Sequence, residues 1–220
     1  MRIEEVLKVS VNVVVRAYDE DGRLIARRRG HNVFTNTGKN WLVRAMGASN
    51  YGAVPPTAHT AEKIMYMGYG CGGALQTNPA FVTGQAELVT VNALQDPVPV
   101  SDSGGGQFVY LKQVDNQSLG SSVYFPGDYL TVFVSDIAAT EISFAGSTTR
   151  VSNVAVGTQV PVSEAGLYLS DASPFYTPAA PLGYEADPAG ANSMAAYFIF
   201  SPVIVTTGVV LRSEWELRIG

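Results

Sequence analysis

The chain has 220 residues, of which 46% are hydrophobic and 15% are charged, and its formal net charge is −5. This length is sufficient for a domain with its own core, and the composition excludes a disordered chain, a coiled coil and a highly charged nucleic-acid arm. The 22 glycines, 12 prolines and 11 tyrosines favour short strands joined by turns over helices.

Positive charge is concentrated near the start of the sequence. Residues 1–63 carry ten Lys and Arg against six acids, whereas residues 64–220 carry four against thirteen. This division is typical of the solvated faces of an ordinary fold, and it also fits head-to-tail self-assembly through a basic and an acidic surface. The one dense basic cluster is Arg27, Arg28 and Arg29, so we expect no nucleic-acid partner.

The first predicted structure is a β-hairpin. Apolar and polar residues alternate from Val9 to Ala17, which is the pattern of a half-buried strand. An acidic turn follows, in which Gly22 supplies the positive φ that such loops need, and a second strand is expected from Arg23 to Phe34. The exposed face of this second strand would carry part of the Arg27–Arg29 run.

A short helix is expected next, from Gly38 to Met46. Thr37 is placed to cap its first amides, and apolar side chains including Trp41 recur at helical spacing on one face. We therefore expect Trp41 to anchor the helix to a sheet. Residues 48–62, which contain Gly and Pro, are predicted as a loop.

Short strands separated by turn residues are predicted along the middle of the chain. Their spacing of about 8 to 12 residues is typical of a β-sandwich or barrel. The predicted strands are Ile64 to Tyr69, Gln85 to Leu94, Gln107 to Val114, Ser121 to Phe125, Tyr129 to Asp136, Thr140 to Ala145, Arg150 to Val156 and Val160 to Leu169.

A long loop and two strands are predicted toward the end of the sequence. Residues 171–193, rich in Pro and Gly, form the loop, and loops of this length are usually functional or mobile. The apolar run 194–211 is interrupted by Pro202 and is rich in residues that favour strands, so two buried strands are expected and not a membrane helix. The last strand would point Trp215 inward, with Ser213 as its one small interior residue.

No repeat or change of composition divides the chain. Residues 1–220 are therefore predicted as a single all-β domain, a β-sandwich of jelly-roll type with an N-terminal β-hairpin and one short α-helix. In an alternative division, residues 1–60 form a hairpin-plus-helix arm. The first five residues lack the basic start and apolar block of a signal peptide, so export by a signal is not expected.

One glycine-rich segment has part of the pattern of a nucleotide site. Gly68, Gly70 and Gly73 match the spacing of a dinucleotide-binding loop that follows an apolar strand. Residues 74–79 do not predict the helix whose N-terminus would receive the pyrophosphate. The glycines are interpreted as part of a strand and turn that permit close backbone approach, and no cofactor is expected.

Residues that could support metal binding or catalysis are few. His31 and His59 lack the spacing of metal ligands, and the single Cys71 excludes a disulfide framework and carries no signature of a nucleophile. Glu164 lies inside an apolar run, where we expect it to face solvent or to accept backbone amides at a bend. No catalytic residue and no metal site is predicted, although a small hydrolase in which two or more of these residues converge stays an alternative.

Four segments of the chain are informative in combination. They are HNVFTNTGKNWLVRAMG at 31–47, IMYMGYGCGG at 64–73, VSEAGLYLS at 162–170 and MAAYFIFSPVIVTTGVVLRSEWELRI at 194–219. Their order resembles that of virion structural proteins of tailed bacteriophages, in which a helix start, two strands and a closing strand carry similar motifs. In such proteins these motifs describe how strands turn and pack, and none of them is an active site.

The resemblance implies a non-enzymatic virion protein, assembled in the host cytoplasm as a homo-oligomer, for which a trimer is one form. A compact chain without a coiled-coil stalk is suited to covering a surface in many copies. Decoration or cementing of the capsid is therefore expected ahead of a tail, neck or baseplate role. Other partners would be a major capsid or tail protein, with no nucleic acid and no membrane. A carbohydrate-binding module, to which the many tyrosines point, is a further alternative.

Contacts with these partners are predicted at the basic edge, the short helix and the long loop. Arginine and aromatic side chains are enriched in protein interfaces, and these three places supply both types. The predicted contact residues are Arg27, Arg28, Arg29, Trp41, Phe175, Tyr176 and Tyr184.

Overall fold

The computed structural model describes residues 9–46, 63–72, 74–77, 80–84, 90–91, 94, 97–98, 100–104, 107–114, 124–125, 128–138, 141, 159–169, 175–176 and 194–219. Within these ranges the chain forms mostly strands. The first are β1 (Val9–Tyr18), β2 (Leu24–His31) and β3 (Val33–Phe34), followed by helix α1 (Asn36–Met46). The remaining strands are β4 (Ile64–Gly70), β5 (Ala74–Thr77), β6 (Ala80–Gly84), β7 (Ser101–Gly104), β8 (Gln107–Val109), β9 (Leu111–Gln113), β10 (Tyr124–Phe125), β11 (Asp128–Ile137), β12 (Gln159–Leu169), β13 (Phe175–Tyr176), β14 (Met194–Thr206) and β15 (Val210–Ile219).

Two antiparallel sheets pack face to face, which confirms the predicted β-sandwich with one short helix. The first sheet has the strand order β10-β11-β15-β1-β2, and the second has the order β3-β14-β12-β4-β9. Strands β13-β8-β7 and β5-β6 form two smaller sheets. The main core lies between the two large sheets and takes buried residues from both.

The core follows from the alternation of β1 and β15. In the register of the first sheet, Val13 and Phe133 flank Trp215 on either side, and Trp215 is completely buried. Leu167 from the second sheet belongs to the same core. The prediction that Trp215 points inward is confirmed, because period-two alternation places every second residue of a strand on one face.

The N-terminal hairpin is confirmed, but its second strand is not continuous. Gly22 has φ of 76°, as the turn requires. The predicted strand from Arg23 to Phe34 is broken at Asn32, so that β2 belongs to the first sheet and β3 to the second. The break arises because Phe34 pairs with Ala196 of β14, whereas His31 pairs with Asn12 of β1.

Helix α1 begins two residues earlier than predicted, and Thr35 caps it in place of Thr37. The Gly38 amide donates to Thr35 Oγ1 at 3.1 Å, and the same hydroxyl donates to the Met194 carbonyl at 2.6 Å. The helix start is therefore fixed to β14. Trp41 is half-buried and packs against the main core, which confirms that it anchors the helix.

Several predictions for the middle of the chain are wrong. Residues 107–114 form β8 and β9 in different sheets, because the strand is interrupted at Tyr110. Within the predicted strand 85–94, the described residues Thr90, Val91 and Leu94 lie outside strands. Glu141, inside the predicted strand 140–145, lies in a turn.

Other middle segments differ from expectation in where strands begin. β5 and β6 pair over a stretch for which no strand was predicted. Residues 175–176, expected in a loop, form β13 and pair with β8. The predictions for residues 48–62, 121–123 and 150–156 lie outside the described residues, as does most of the predicted loop 171–193.

The second sheet is also covered on its outer face. A smaller apolar cluster there contains Leu94, Leu111, Tyr168, Met194 and Tyr197. Gly68 and Gly166 lie opposite each other in the β4–β12 pair, and a Cβ on either would come within 2.7 Å of a side chain in this cluster. The two glycines thus leave space for this cluster, in agreement with the expectation that glycines in this segment permit close approach.

The two strands of the C-terminal region lie in different sheets. β14 lies in the second sheet and β15 in the first, so the expectation of strands for the apolar run after residue 194 is confirmed. Among the described residues, no helix has both the length and the apolarity needed to cross a bilayer.

Candidate functional site

Among the described residues, Glu164 is the one charged residue that is buried, and it is completely shielded from solvent. It lies on β12, on the outer face of the second sheet, opposite Gly70 of β4 and Ile199 of β14. Its Oε1 accepts a hydrogen bond from the Gly72 amide at 3.0 Å, and its Oε2 accepts one from the Tyr197 hydroxyl at 2.6 Å. Both carboxylate oxygens are therefore held by donors of the protein.

The turn that follows β4 is tied to β12 by two adjacent side chains. Ser163 donates its hydroxyl to the Cys71 carbonyl at 2.8 Å, beside the bond from Gly72 to Glu164. Cys71 itself is buried. Glu164 was expected to face solvent or to accept backbone amides at a bend. It accepts one backbone amide, from the turn after β4 and not from a bend in its own strand, and the alternative that it faces solvent is wrong because its side chain is completely buried.

The glycine motif does not lead into a phosphate-binding helix. β4 ends at Gly70, a turn follows at Cys71 and Gly72, and the next element is the strand β5. A dinucleotide loop needs a helix N-terminus at this place. The Gly72 amide, which such a loop would offer to a phosphate, is instead bonded to Glu164.

A second polar cluster lies inside the sandwich. Ser135 and Ser213 are opposite each other on β11 and β15, and both are completely buried. The Tyr69 hydroxyl of the second sheet approaches them and lies 3.1 Å from the sulfur of Met67. Burial raises the pKa of Tyr69, although the neighbouring serine hydroxyls oppose this shift. Tyr69 is thus a neutral hydroxyl in an apolar interior.

Charged side chains form a network on the outer face of the first sheet. Glu214 accepts Arg16 at 2.7 Å and Arg212 at 3.2 Å, and Arg212 also reaches Asp136 at 3.3 Å. Burial raises the pKa of Glu214, but the hydrogen bond and charge of Arg16, together with Arg212, outweigh it and hold that pKa below its usual value. The network joins β1, β15 and β11.

Arg28 has a different environment from Arg27 and Arg29. Its guanidinium donates from Nε to the Ser201 carbonyl at 2.8 Å and from Nη2 to the Pro202 carbonyl at 3.0 Å. These bonds connect β2 of the first sheet to β14 of the second, so Arg28 closes one side of the sandwich. Neighbouring side chains of a strand point to opposite faces, so Arg28 is expected to point away from the face that carries Arg27 and Arg29.

The other side of the sandwich is closed by a lysine. Lys112 of β9 lies 2.5 Å from the Glu141 carboxylate and donates to the Asp136 carbonyl of β11. β9 is at the edge of the second sheet, and β11 is next to the edge of the first. Arg28 and Lys112 therefore play equivalent parts at opposite sides of the molecule.

Arg27 and Arg29 lie on the outer face of β2 and are exposed. β2 is the edge strand of the first sheet, and its start exposes 52% of Leu24 and 51% of Ile25. In the described part of the chain no carboxylate lies within ion-pair distance of either arginine. We use the term β2 edge for the exposed side chains of Leu24, Ile25, Arg27, Arg29 and His31.

The remaining predicted contact residues are spread over the molecule. Trp41 contributes to the core and is half-buried. Phe175 and Tyr176 form β13 in a small sheet, whereas Tyr184 and His59 lie outside the described residues. The structure therefore does not unite the predicted contact residues in one place.

The described residues form no metal site, and the candidate residues His31 and Cys71 lie in different parts of the fold. Within the described ranges, no group of three or more His, Cys, Asp or Glu side chains is arranged to hold a metal ion. His31 lies at the β2 edge of the first sheet, and Cys71 lies in the turn that follows β4 of the second sheet. Comparisons of the chain with protein-family models, with curated proteins and with solved structures found no match.

Proposed function

We propose that this chain is a non-enzymatic structural protein of a tailed-bacteriophage virion, which decorates or cements the capsid as a homo-oligomer. The observation that carries the proposal is the contact among the four segments with the virion-protein resemblance. Glu164 in the third segment binds Gly72 in the second and Tyr197 in the fourth. Thr35 in the first segment bonds to Met194 in the fourth. The resembling motifs thus form one connected structural unit.

The chemistry of these contacts supports a structural role. A buried carboxylate is costly unless donors replace its water, and Glu164 uses its two oxygens to hold a turn and a neighbouring strand. Thr35 uses its hydroxyl to start a helix on β14. Each of these polar side chains stabilises the junction between segments.

The β2 edge supports the assembly part of the proposal. Proteins usually protect edge strands, and exposed arginines beside apolar side chains are typical of contact surfaces. Residues 64–220 carry four basic residues against thirteen acids, so a neighbouring copy offers complementary charge. Within the proposal the sandwich is of the jelly-roll type, which is supported by the passage of successive long strands, β11 to β12 and β14 to β15, from one sheet to the other.

The proposal is tested by immunogold electron microscopy of particles from the source lysate, with antibody to the purified chain. Gold distributed over the heads is expected. Gold confined to the neck, tail or baseplate would move the protein to the tail machinery. Unlabelled particles, together with a negative blot of denatured particles, would contradict the virion proposal.

The contact surface is tested by comparing two sets of arginine variants. The double variant Arg27→Ser with Arg29→Ser should fold normally and lose association with particles at moderate salt, because both side chains are exposed and Coulombic attraction is screened by salt. Arg28→Ser is the matched control: it should lower stability, since it removes bonds to Ser201 and Pro202. Unchanged particle association of the double variant would contradict an electrostatic contact at this edge.

A further inference from the structure

We propose that the β2 edge, at residues 27–31, binds an extended acidic segment of another protein. The segment adds to the first sheet as an antiparallel strand, with carboxylates on alternate residues opposite Arg27 and Arg29. The inference rests on the assembly part of the proposed function, since it names the kind of partner that this contact surface takes. It concerns the purified protein and a synthetic peptide, so it can be tested without particles.

The backbone of β2 directs hydrogen-bonding groups to its free side. β2 is an edge strand, and its register against β1 is regular over residues 26–31 and shifts only before them, at Ile25. The Asn32 amide donates to the Val11 carbonyl at 3.2 Å, which continues this ladder. In an antiparallel ladder, pairs that are hydrogen-bonded to each other alternate with pairs that are not. The amides and carbonyls that point away from β1 are therefore those of Arg27, Arg29 and His31.

Arg28 leaves most of these groups available and fixes the strand in position. Its Nη1 donates to the Arg27 carbonyl at 3.0 Å, whereas in the described part of the chain the outward amides and carbonyls of Arg29 and His31 have no partner. The same guanidinium also donates to two carbonyls of β14. The edge is thus held against the second sheet before any partner arrives, which lowers the cost of ordering it on strand addition.

The side chains of this edge carry positive charge that the described fold does not neutralise. Arg27 and Arg29 are exposed on the outer face, with no described carboxylate within ion-pair distance. Arg27 lies directly opposite Arg16 of β1, whose own partner is Glu214 at 2.7 Å. Like charges placed directly opposite each other are destabilising. Carboxylates on every second residue of an added strand would lie opposite these arginines and neutralise them.

A peptide fits this edge better than a nucleic acid does. The phosphates of a nucleic acid accept hydrogen bonds from arginine and from backbone amides. They do not donate, and the outward carbonyls of Arg29 and His31 need donors. An extended peptide offers both a donor and an acceptor at every second residue, at the spacing of the strand to which it adds.

The described strands of a second copy do not supply such a segment. Another β2 strand would place a second set of arginines along the same seam, where like charges repel. Within the described ranges, the strand with acids on alternate residues is β15, through Glu214 and Glu216. β15 already pairs on one side with β11 and on the other with β1, so it has no free edge. The acidic strand is therefore assigned to another protein.

The first experiment measures binding of a short fluorescein-labelled peptide in which Glu alternates with Thr, by fluorescence anisotropy at low and high salt. Salt should weaken binding to the wild-type chain. Arg27→Ser with Arg29→Ser should raise the dissociation constant about tenfold or more. Arg23→Ser with Lys39→Ser removes the same charge from exposed positions outside residues 27–31 and should change binding much less. Equal effects of the two double variants would overturn the inference.

A second peptide separates strand addition from attraction by charge alone. It has the same composition, with all Glu residues in one block followed by all Thr residues. We expect it to bind about tenfold more weakly, because only alternation places every carboxylate on the face of Arg27 and Arg29. Equal binding of the two peptides would overturn strand addition.

The second experiment tests the backbone pairing with N-methylated forms of the alternating peptide. In the proposed strand the Glu residues lie opposite Arg27, Arg29 and His31 and direct their amides to β2, whereas the Thr residues direct theirs outward. N-Methyl groups on the Glu residues should abolish measurable binding, and N-methyl groups on the Thr residues should leave it nearly unchanged. Equal losses, or a larger loss from the methylated Thr residues, would overturn the antiparallel pairing.

Two further outcomes would assign the edge to a different occupant and overturn the inference. One is a single-stranded DNA oligonucleotide that displaces the alternating peptide as well as unlabelled peptide does. The other is a dimer of the chain alone, seen by sedimentation equilibrium, that Arg27→Ser with Arg29→Ser dissociates.

The peptide experiments and the particle experiment fail independently. Absence of peptide binding together with gold over the heads would overturn this inference and leave the virion function in place. Peptide binding with all the expected variants, together with unlabelled particles, would leave the acidic partner in place and remove the virion function.

Discussion

At the scale of single residues, Glu164 shows how one side chain joins distant parts of the chain. A carboxylate inside a protein needs donors in place of water, and here they come from Gly72, 92 residues earlier, and from Tyr197, 33 residues later. The sequence predicts that Glu164 accepts backbone amides. It gives no sign of Tyr197, because a strand residue so far along the chain becomes a neighbour only through the β12–β14 pairing.

This contact can be tested with Tyr197→Phe. The change removes only the hydroxyl, and with it the hydrogen bond that Tyr197 donates to Oε2 of a buried carboxylate. We expect the free energy of unfolding to fall by about 1–3 kcal/mol, measured by urea denaturation. Tyr66→Phe is the matched control, since Tyr66 is half-buried beside the same cluster and should change stability little. Equal effects of the two changes would show that the bond to Glu164 is not stabilising.

At the scale of secondary-structure elements, strands with a clear pattern were predictable and short ones were not. β1 and β15 were predicted because their residues alternate, and β12 because it is an apolar run apart from Ser163 and Glu164. In the structure ten consecutive residues of β12, from Val160 to Leu169, are buried. The pair β5–β6 has no such pattern over its few residues. The break at Asn32 was missed because β2 and β3 read as one strand, and a change of partner sheet is a tertiary event.

The start of α1 was also predicted at the wrong residue. Thr35 and Thr37 are equally good caps by residue type, so the sequence alone does not distinguish them. Thr35 is selected because its hydroxyl also reaches the Met194 carbonyl. Thr35→Ala should therefore lower stability by about 1–2 kcal/mol, since a cap and a buried bond are lost together. Thr37→Ala should be nearly neutral. Thermal unfolding of both variants checks the assignment, and a larger loss for Thr37→Ala would refute it.

At the scale of the whole molecule, charged side chains join strands that are distant in sequence. Arg28 and Lys112 connect the two sheets at opposite sides, while Glu214 links β1 and β15 through Arg16 and Arg212. The alternation that points Trp215 inward places Glu214 on the outer face of β15, but the sequence does not show its partners, because these depend on which strands become neighbours. This network makes stability dependent on pH.

The direction of that dependence follows from the lowered pKa of Glu214 in the folded state. A carboxylate with a lowered folded pKa contributes stability above its unfolded pKa, and this contribution is lost as pH falls through the folded pKa. We expect Glu214→Gln to lower stability at neutral pH and to make the unfolding free energy change less between neutral and acidic pH. Urea denaturation over a pH series measures this, with Glu216→Gln as the control on the same face. Parallel pH curves for wild type and Glu214→Gln would contradict the assignment.

The pairing of β1 with β15 has a consequence for how the protein is made. Val9 pairs with Ile219 and Tyr18 with Val210, so ten residues near the start of the sequence are bonded along their whole length to ten residues near its end. β15 also separates β1 from β11 in the first sheet. During synthesis the hairpin β1–β2 leaves the ribosome long before β15. Until β15 has emerged, β1 lacks the strand that pairs with its other edge. Contacts between such distant residues slow folding and leave strand edges open to aggregation. A cell producing this chain would therefore benefit from chaperones that cover the hairpin until translation ends.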